Sequence, residues 1–218
     1  MKFLDMPRSG SYAGVTSSRN RYGQYVRNRA TPVNPASSAQ GTVRARLSAN
    51  AAAWRALTDL QRAGWESLGG EMTRTDSLGS SYTLNGFSAF CSVNNNLDQM
   101  GSATVSAAPA LSTPSTVLTA AVTLTNAVFS IAYTPTPMPT GTKLAVFASP
   151  QRSAGRNFEA DIRFVQITAA AAASPVSIFT AYSAKFGTPV VGNRVFISLI
   201  SMFGGFSSGP LLTSAVVA

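Results

Sequence analysis

The chain has 218 residues, of which 45% are hydrophobic and 11% are charged; it carries a formal net charge of +9, one cysteine and no histidine. One cysteine and no histidine exclude, within these residues, an intrachain disulfide, a cysteine-based metal site and every catalytic pair that uses histidine. Because the charged fraction is well below the roughly 25% usual for globular proteins, we expect neighbouring subunits to cover much of the surface.

The positive charge is concentrated at the start of the chain. Residues 1–55 hold nine cations against one anion, Asp5, for a net charge of +8, whereas the other 163 residues hold eight cations and seven anions. The nine cations are Lys2, Arg8, Arg19, Arg21, Arg27, Arg29, Arg44, Arg46 and Arg55. A basic segment beside a nearly neutral remainder predicts contact with an acidic partner, either nucleic acid or another subunit.

The first segment, residues 1–36, is rich in Gly, Ser, Asn, Arg and Tyr and has no apolar periodicity. Such a composition predicts an extended basic arm that becomes ordered on a partner. The candidate partner-binding residues of this arm are Arg19, Arg21, Tyr22, Tyr25, Arg27 and Arg29. Arginine beside tyrosine suits phosphates and bases, but it also suits protein interfaces, and a solvated tail is a third interpretation. We favour contact with protein.

Residues 37–101 predict a small helical unit. Ser37 and Gln40 have the spacing of a capping box, and an apolar stripe then predicts a helix over residues 38–57. Thr58 and Gln61 repeat that spacing before a second helix, and residues 87–97 predict a third helix that ends at Gly101. Trp54 and Trp65 are either the core of this helical hairpin or a ligand-stacking pair, and their place on the apolar stripe favours the core.

Residues 102–218 change to a period of two, with turn residues every 8 to 12 positions. This pattern predicts an antiparallel β-sandwich, and the whole chain is therefore expected to be an α+β multidomain protein. The predicted strands are 117–124, 128–133, 143–149, 161–168, 176–182, 194–201 and 211–217. The alanine run at 169–173 is too short for a helix and predicts a loop or a single turn.

No catalytic constellation emerges from the sequence. Glu159 and Asp161 are either a cation-binding or acid–base pair or a surface ion-pair cluster with Arg156 and Arg163, and the flanking arginines favour the cluster. The segment 141–143, Gly-Thr-Lys, lacks the upstream glycine of a phosphate-binding loop. We expect no enzymatic activity, no cofactor and no metal.

Membrane association is not expected either. No run of about 18 apolar residues is present to span a bilayer, and the first eight residues lack the apolar centre of a signal peptide. The sequence therefore predicts synthesis in a cytosol-like compartment.

The end of the chain resembles the last strands of a fibronectin type III or immunoglobulin-like module. The residues that carry this resemblance are Phe186-Gly187-Thr188-Pro189, the run Arg194-Val195-Phe196-Ile197-Ser198-Leu199-Ile200, and Gly205-Phe206-Ser207-Ser208-Gly209-Pro210. The resemblance implies a recognition or spacer module and no reaction.

The N-terminal half is similar to a family of phage and prophage virion-associated proteins that combine an arm, a tryptophan-bearing helical hairpin and a β-domain. The matching residues are Arg19-Asn20-Arg21-Tyr22-Gly23-Gln24-Tyr25-Val26-Arg27-Asn28-Arg29, Pro32-Val33-Asn34-Pro35, Ala39-Gln40, and Trp54-Arg55-Ala56-Leu57-Thr58-Asp59-Leu60-Gln61-Arg62-Ala63-Gly64-Trp65. The resemblance implies a component of the virion, made in the host cytoplasm.

Together these observations predict a structural virion protein of a bacteriophage, a minor capsid, cement or decoration subunit held by its arm. Its expected partners are the major capsid protein or other virion subunits in a multicopy lattice. A tail or head–tail connector component is a close variant. A genome-organising protein that binds nucleic acid through the arm is the second class, and a depolymerase or lysin is the third and least favoured.

Overall fold

The computed structural model describes residues 8–76 and 78–218, which form four helices and fourteen strands in two compact units divided between Val43 and Arg44. The helices are α1 (Ser38–Ala56), α2 (Asp59–Glu71), α3 (Gly86–Gln99) and α4 (Phe179–Phe186). The strands are β1 (Gly10–Tyr12), β2 (Val15–Asn20), β3 (Gly23–Asn28), β4 (Thr73–Thr75), β5 (Ser81–Thr83), β6 (Thr119–Leu124), β7 (Phe129–Thr134), β8 (Lys143–Ala148), β9 (Arg152–Ser153), β10 (Arg163–Ile167), β11 (Val176–Ser177), β12 (Asn193–Phe203), β13 (Phe206–Ser207) and β14 (Leu211–Val216). The fold is mixed α and β with antiparallel sheets, as the sequence predicts.

The first unit contains a three-stranded antiparallel sheet in the order β1-β2-β3. Strands β2 and β3 are joined by a two-residue turn, and Asn20 Oδ1 accepts the Tyr22 N–H at 2.9 Å inside it. Gly23 follows the turn with φ of 117°, a conformation that only glycine adopts without strain. Residues 10–28 thus differ from the predicted unpaired arm, because short-range pairing satisfies their backbone groups. Residues 1–7 of that predicted arm lie outside the described residues.

The three predicted helices are confirmed. Thr58 caps α2 with both hydrogen bonds of the predicted capping box, whereas at the start of α1 the Ser37 hydroxyl accepts only the Gln40 N–H, at 3.4 Å. Asn85, which the sequence analysis did not single out, caps α3 by accepting the Ser88 N–H at 2.8 Å. The β4–β5 hairpin between α2 and α3 was also missed, because its three-residue polar strands carry no apolar alternation.

The tryptophans lie in the helical core, as predicted. Trp65 is completely buried, its ring meets Phe90 edge-on at 5.2 Å, and its indole N–H donates to the Ser106 carbonyl at 2.8 Å. Trp54 is half-buried against Phe87 and Phe90. The cluster also includes Leu57, Leu68, Ala89, Val93, Leu97 and Phe206.

The largest core lies between two antiparallel sheets. One has the order β11-β7-β6, and the other is a six-stranded sheet in which β12 pairs with β8, β9, β13 and β14 and β10 pairs with β8. Phe129 and Ile131 of β7 share this core with Val146 of β8 and Ile197 of β12. Six of the seven predicted strands correspond to strands of this region.

The seventh predicted strand, 176–182, is wrong beyond Ser177, because Phe179 begins α4. Phe179, Tyr182 and Phe186 recur at helical spacing and all pack against the large core, so helix formation buries three aromatic rings on one side. Burial raises the pKa of Tyr182 to about 12, and its hydroxyl donates to the Ser149 carbonyl at 3.1 Å. The alanine run at 169–173 contains a turn, as predicted.

The helices and the β-sheets of residues 44–218 belong to one compact unit, whereas the sequence predicted a division between residues 101 and 102. Phe206 of β13 lies in the helical core, and Asn96 Nδ2 of α3 donates to the Gly205 carbonyl at 2.8 Å. At the C-terminal end of α3, Lys143 of β8 donates to the carbonyl of the cap residue Met100. These contacts attach α3 directly to the six-stranded sheet.

Candidate partner-binding site

The six candidate arm residues all lie in or next to the β2–β3 hairpin. Arg19 is on β2, Tyr25 and Arg27 are on β3, and the other three occupy the connecting turn (Arg21 and Tyr22) and the position just after β3 (Arg29). The structure therefore brings the residues together on one element, although it does not place them on one face.

Cross-strand pairing fixes which residues share a face of the sheet. Tyr25 pairs with Ser18 and Arg27 pairs with Thr16, so these four side chains lie on one face. Arg19 pairs with Gln24 and therefore lies on the opposite face. A flat partner that covers one face of the sheet would contact either Tyr25 and Arg27 together or Arg19 alone. The side chains of the turn can be reached from either face.

The turn presents an arginine stacked on a tyrosine. The Arg21 guanidinium carbon lies 5.8 Å from the centre of the Tyr22 ring, within the range of a cation–π contact. The Tyr22 side chain is 77% exposed. Aromatic and arginine side chains held together at an exposed tip are the residue types that dominate binding energy at protein interfaces.

The sheet has no core of its own. None of the described residues from 8 to 49 is buried. The face that holds Arg19 also holds Tyr12, Val15 and Val26, and Tyr12 is 84% exposed. Tyr12, Val15 and Val26 were not among the predicted site residues, although Val15 and Val26, on the two sides of the polar turn that precedes Gly23, are a usable hairpin signal. A small sheet in water needs an apolar face packed against something else.

The first half of α1 also has exposed apolar residues. Val43 and Leu47 belong to the predicted apolar stripe, yet they are 64% and 52% exposed. Apolar packing is confined to the second half of the helix, where Asn50 is buried and Trp54 joins the helical core, although Arg46 pairs with Asp98 of α3. The apolar stripe of α1 therefore begins about two turns before the part of the helix that packs against the core.

The charge of this segment has one sign. Residues 8–43 contain five arginines and no aspartate or glutamate, and the arginines are Arg8, Arg19, Arg21, Arg27 and Arg29. This excess of positive charge would favour a partner that carries negative charge.

The acidic residues singled out in the β-region pair with arginines, as predicted, but the cluster is partly buried and does not lie wholly at the surface. Glu159 is buried in a loop, where it accepts the Asp161 backbone N–H at 3.0 Å and pairs with Arg156 at 3.4 Å and with Arg152. Asp161 accepts two hydrogen bonds from Arg163, each of 2.8 Å. The sequence analysis missed Arg152 because the loop brings it back across seven residues.

The hydrogen bonds explain the acidity of both carboxyl groups. The Asp161 backbone N–H, followed by Arg152, lowers the pKa of Glu159, and the bidentate Arg163 lowers the pKa of Asp161. A general acid at neutral pH needs a raised pKa, so these shifts run against acid catalysis and fit a structural clamp.

Two surface clefts of about 230 and 220 Å³ lie on residues 44–218. The lining of the first contains one carboxylate, Glu71, and that of the second contains Glu159, which is already paired with arginines. Burial raises the pKa of the Cys91 thiol, which disfavours a reactive thiolate. Within residues 8–76 and 78–218, no three Cys, Asp or Glu side chains are grouped to hold a metal ion.

A search for membrane-spanning helices in the described part of the chain finds none of sufficient length and apolarity. No family model and no curated protein matches this sequence.

Proposed function

We propose that the protein is a structural virion subunit of a bacteriophage, a minor capsid, cement or decoration protein that binds neighbouring subunits through residues 8–49. One observation carries this proposal: these residues form three strands and the first half of α1, yet none of them is buried. Regular structure without a core is expected where a partner supplies the missing contacts.

The energetics favour binding by repetition. Covering Tyr12, Val15, Val26, Val43 and Leu47 buries five apolar side chains, each worth about 1.5–3 kcal/mol when fully buried. Part of that gain is lost to ordering of the segment and to the entropy of association. Each copy then contributes a modest interface, and many copies on a symmetric shell make the assembly stable.

In this proposal the β-region is a spacer or recognition module of fibronectin type III or immunoglobulin type. Two antiparallel sheets that share one core, with β6 and β7 on one side and β8 and β12 on the other, support this assignment. The same arrangement suits a tail or head–tail connector component, which differs in its position on the particle and not in its chemistry.

Nucleic-acid binding is the second candidate, and the uniform positive charge of residues 8–43 favours it. Each phosphate that an arginine neutralises releases counterions, so this function requires a steep loss of affinity with salt. The division of Arg19 and Arg27 between opposite faces of the sheet argues against it, since one duplex covers one face.

Sedimentation of the full chain with particles that lack it, and separately with random DNA, tests the proposal across a salt series. We expect cosedimentation with particles that persists at high salt. A variant without residues 1–35 is expected to keep a near-normal melting temperature, because the core begins at Asn50, but to lose incorporation. Normal incorporation of that variant, or binding only to DNA at low salt, would refute the proposal.

A further inference from the structure

We propose that the outer edge of β3 binds an extended strand of an acidic protein partner, which adds to the N-terminal sheet as a fourth strand. This inference rests on the proposed assembly function and specifies how the partner is recognised. It concerns the backbone of β3, whereas the assembly proposal concerns the whole of residues 8–49.

The free backbone groups of β3 follow from the hydrogen-bond pattern. The Arg29 N–H donates to the Gly14 carbonyl at 2.8 Å, in register with the β2–β3 ladder. In an antiparallel ladder, alternate residues of a strand direct both backbone groups to the same side. Tyr25 and Arg27 therefore bond toward β2, whereas Gln24, Val26 and Asn28 direct their N–H and C=O groups outward.

No strand in the described part of the chain pairs with this outward edge, because the sheet ends at β3 in the order β1-β2-β3. The strand is six residues long, pairs with β2 without a register shift, and contains no proline. Proteins protect edges with proline, bulges, very short strands or charged side chains, and of these β3 has only a charged side chain, Arg27. Such an edge is open to strand addition by a segment of opposite charge.

The positive charge of β3 determines which kind of strand can pair with its outward edge. Pairing between the β3 strands of two copies would bring Arg27 and Arg29 of both copies onto one small sheet, and like charges across strands destabilise the pair. A strand that alternates Asp or Glu with apolar residues avoids this repulsion. Its acids would face Tyr25 and Arg27 on one side, and its apolar residues would extend the face of Val15 and Val26 on the other.

A proline substitution at an outward position tests the edge directly. Val26→Pro removes an N–H that is not used inside the sheet, and proline is tolerated where the N–H of an edge strand faces away from the ladder. Asn28→Pro provides a second outward position near the end of the strand, in case Val26→Pro disturbs the sheet or its apolar contact. Asn28→Ser keeps the N–H at that position and is the matched control.

Incorporation into particles that lack the protein is the readout, with amide hydrogen exchange of Gln24, Val26 and Asn28 measured in the bound state. We expect either proline variant to reduce incorporation at least about tenfold, Asn28→Ser to incorporate like the unmodified chain, and the three outward amides to become protected on binding. Exchange in the free variants verifies that the β1–β2 pairing survives.

The failures of the two proposals are distinguishable. If all variants and the unmodified chain incorporate equally, or the outward amides stay unprotected in the particle, strand addition is refuted and the assembly role stands. If the unmodified chain itself does not incorporate, the assembly proposal fails. If random DNA binds the chain, and binding is unaffected by Val26→Pro but lost in Arg27→Gln, the partner is nucleic acid and the edge proposal is refuted.

Discussion

Replacement of Trp65 by alanine tests whether this residue is core or binding surface. The side chain is completely buried, stacks edge-on with Phe90 at 5.2 Å, and donates a hydrogen bond of 2.8 Å to the Ser106 carbonyl. A ligand-stacking role would require an accessible ring. The structure therefore predicts a large loss of stability on truncation.

The expected loss comes from two sources. Truncation of a buried tryptophan to alanine typically costs about 3–5 kcal/mol, from lost transfer free energy and the cavity left behind. The loss of the indole N–H also leaves the Ser106 carbonyl without this donor, which adds about 1 kcal/mol where water cannot replace it. We expect Trp65→Ala to lower the free energy of unfolding by at least about 3 kcal/mol.

Urea unfolding measures this difference, with the remaining Trp54 as fluorescence reporter and far-ultraviolet circular dichroism as the second probe. Trp65→Phe is the control, because it keeps an aromatic ring against Phe90 but removes the N–H. Its expected cost is about 1–2 kcal/mol. The midpoint should therefore fall in the order unmodified, Trp65→Phe, Trp65→Ala.

If Trp65→Ala lowers the free energy of unfolding by less than about 1 kcal/mol, the assignment of Trp65 to the core is refuted, because truncation of a fully buried tryptophan costs more than that. That result would return Trp65 to the class of exposed binding residues.

Two further predictions concern residues 44–218. Gly205 has φ of 87°, and a Cβ there would lie 2.6 Å from Val93 Cγ1, so Gly205→Ala should destabilise the protein by at least about 2 kcal/mol in urea unfolding. Gly204 also has positive φ, but a Cβ there would meet only Ser112 Oγ at 3.9 Å, so Gly204→Ala should cost about 1 kcal/mol. Equal losses would contradict the packing of α3 on this turn. The folded-state pKa of Glu159 lies below its ordinary value of 4.5, so its stabilising contribution is complete above pH 4.5 and is lost as the pH falls through the lowered value. Glu159→Gln should therefore flatten the fall in melting temperature below pH 4.5, and an unchanged acid profile would show that the clamp does not contribute.

Strong local signals made the helices predictable. The capping-box spacing of Thr58 and Gln61 predicts the start of α2, and the helical spacing of apolar residues such as Trp65 and Phe90 predicts the helical core. The predicted strand 176–182 failed for a different reason. Its apolar residues are compatible with a strand. Phe179 and Tyr182 both pack against the large core when this segment is a helix, and that packing depends on residues distant in the sequence.

The candidate site was predictable in part. Composition identified the arginines and tyrosines near residues 19–29, but it could not show that Arg19 and Arg27 lie on opposite faces, because that depends on the register set by the turn at Arg21. The exposure of Val43 and Leu47 was also beyond the sequence. The apolar stripe predicts which face of α1 is apolar, but it does not predict how much of that face packs against the rest of the protein.

The pairings within the N-terminal sheet have a kinetic consequence. Every β1–β2 and β2–β3 partner lies within 13 residues along the chain, as between Val15 and Asn28. Hairpins with such local contacts form in about 1–10 μs, much faster than typical protein docking. Encounter with the partner, and not rearrangement of this segment, would therefore set the rate at which each copy joins its assembly.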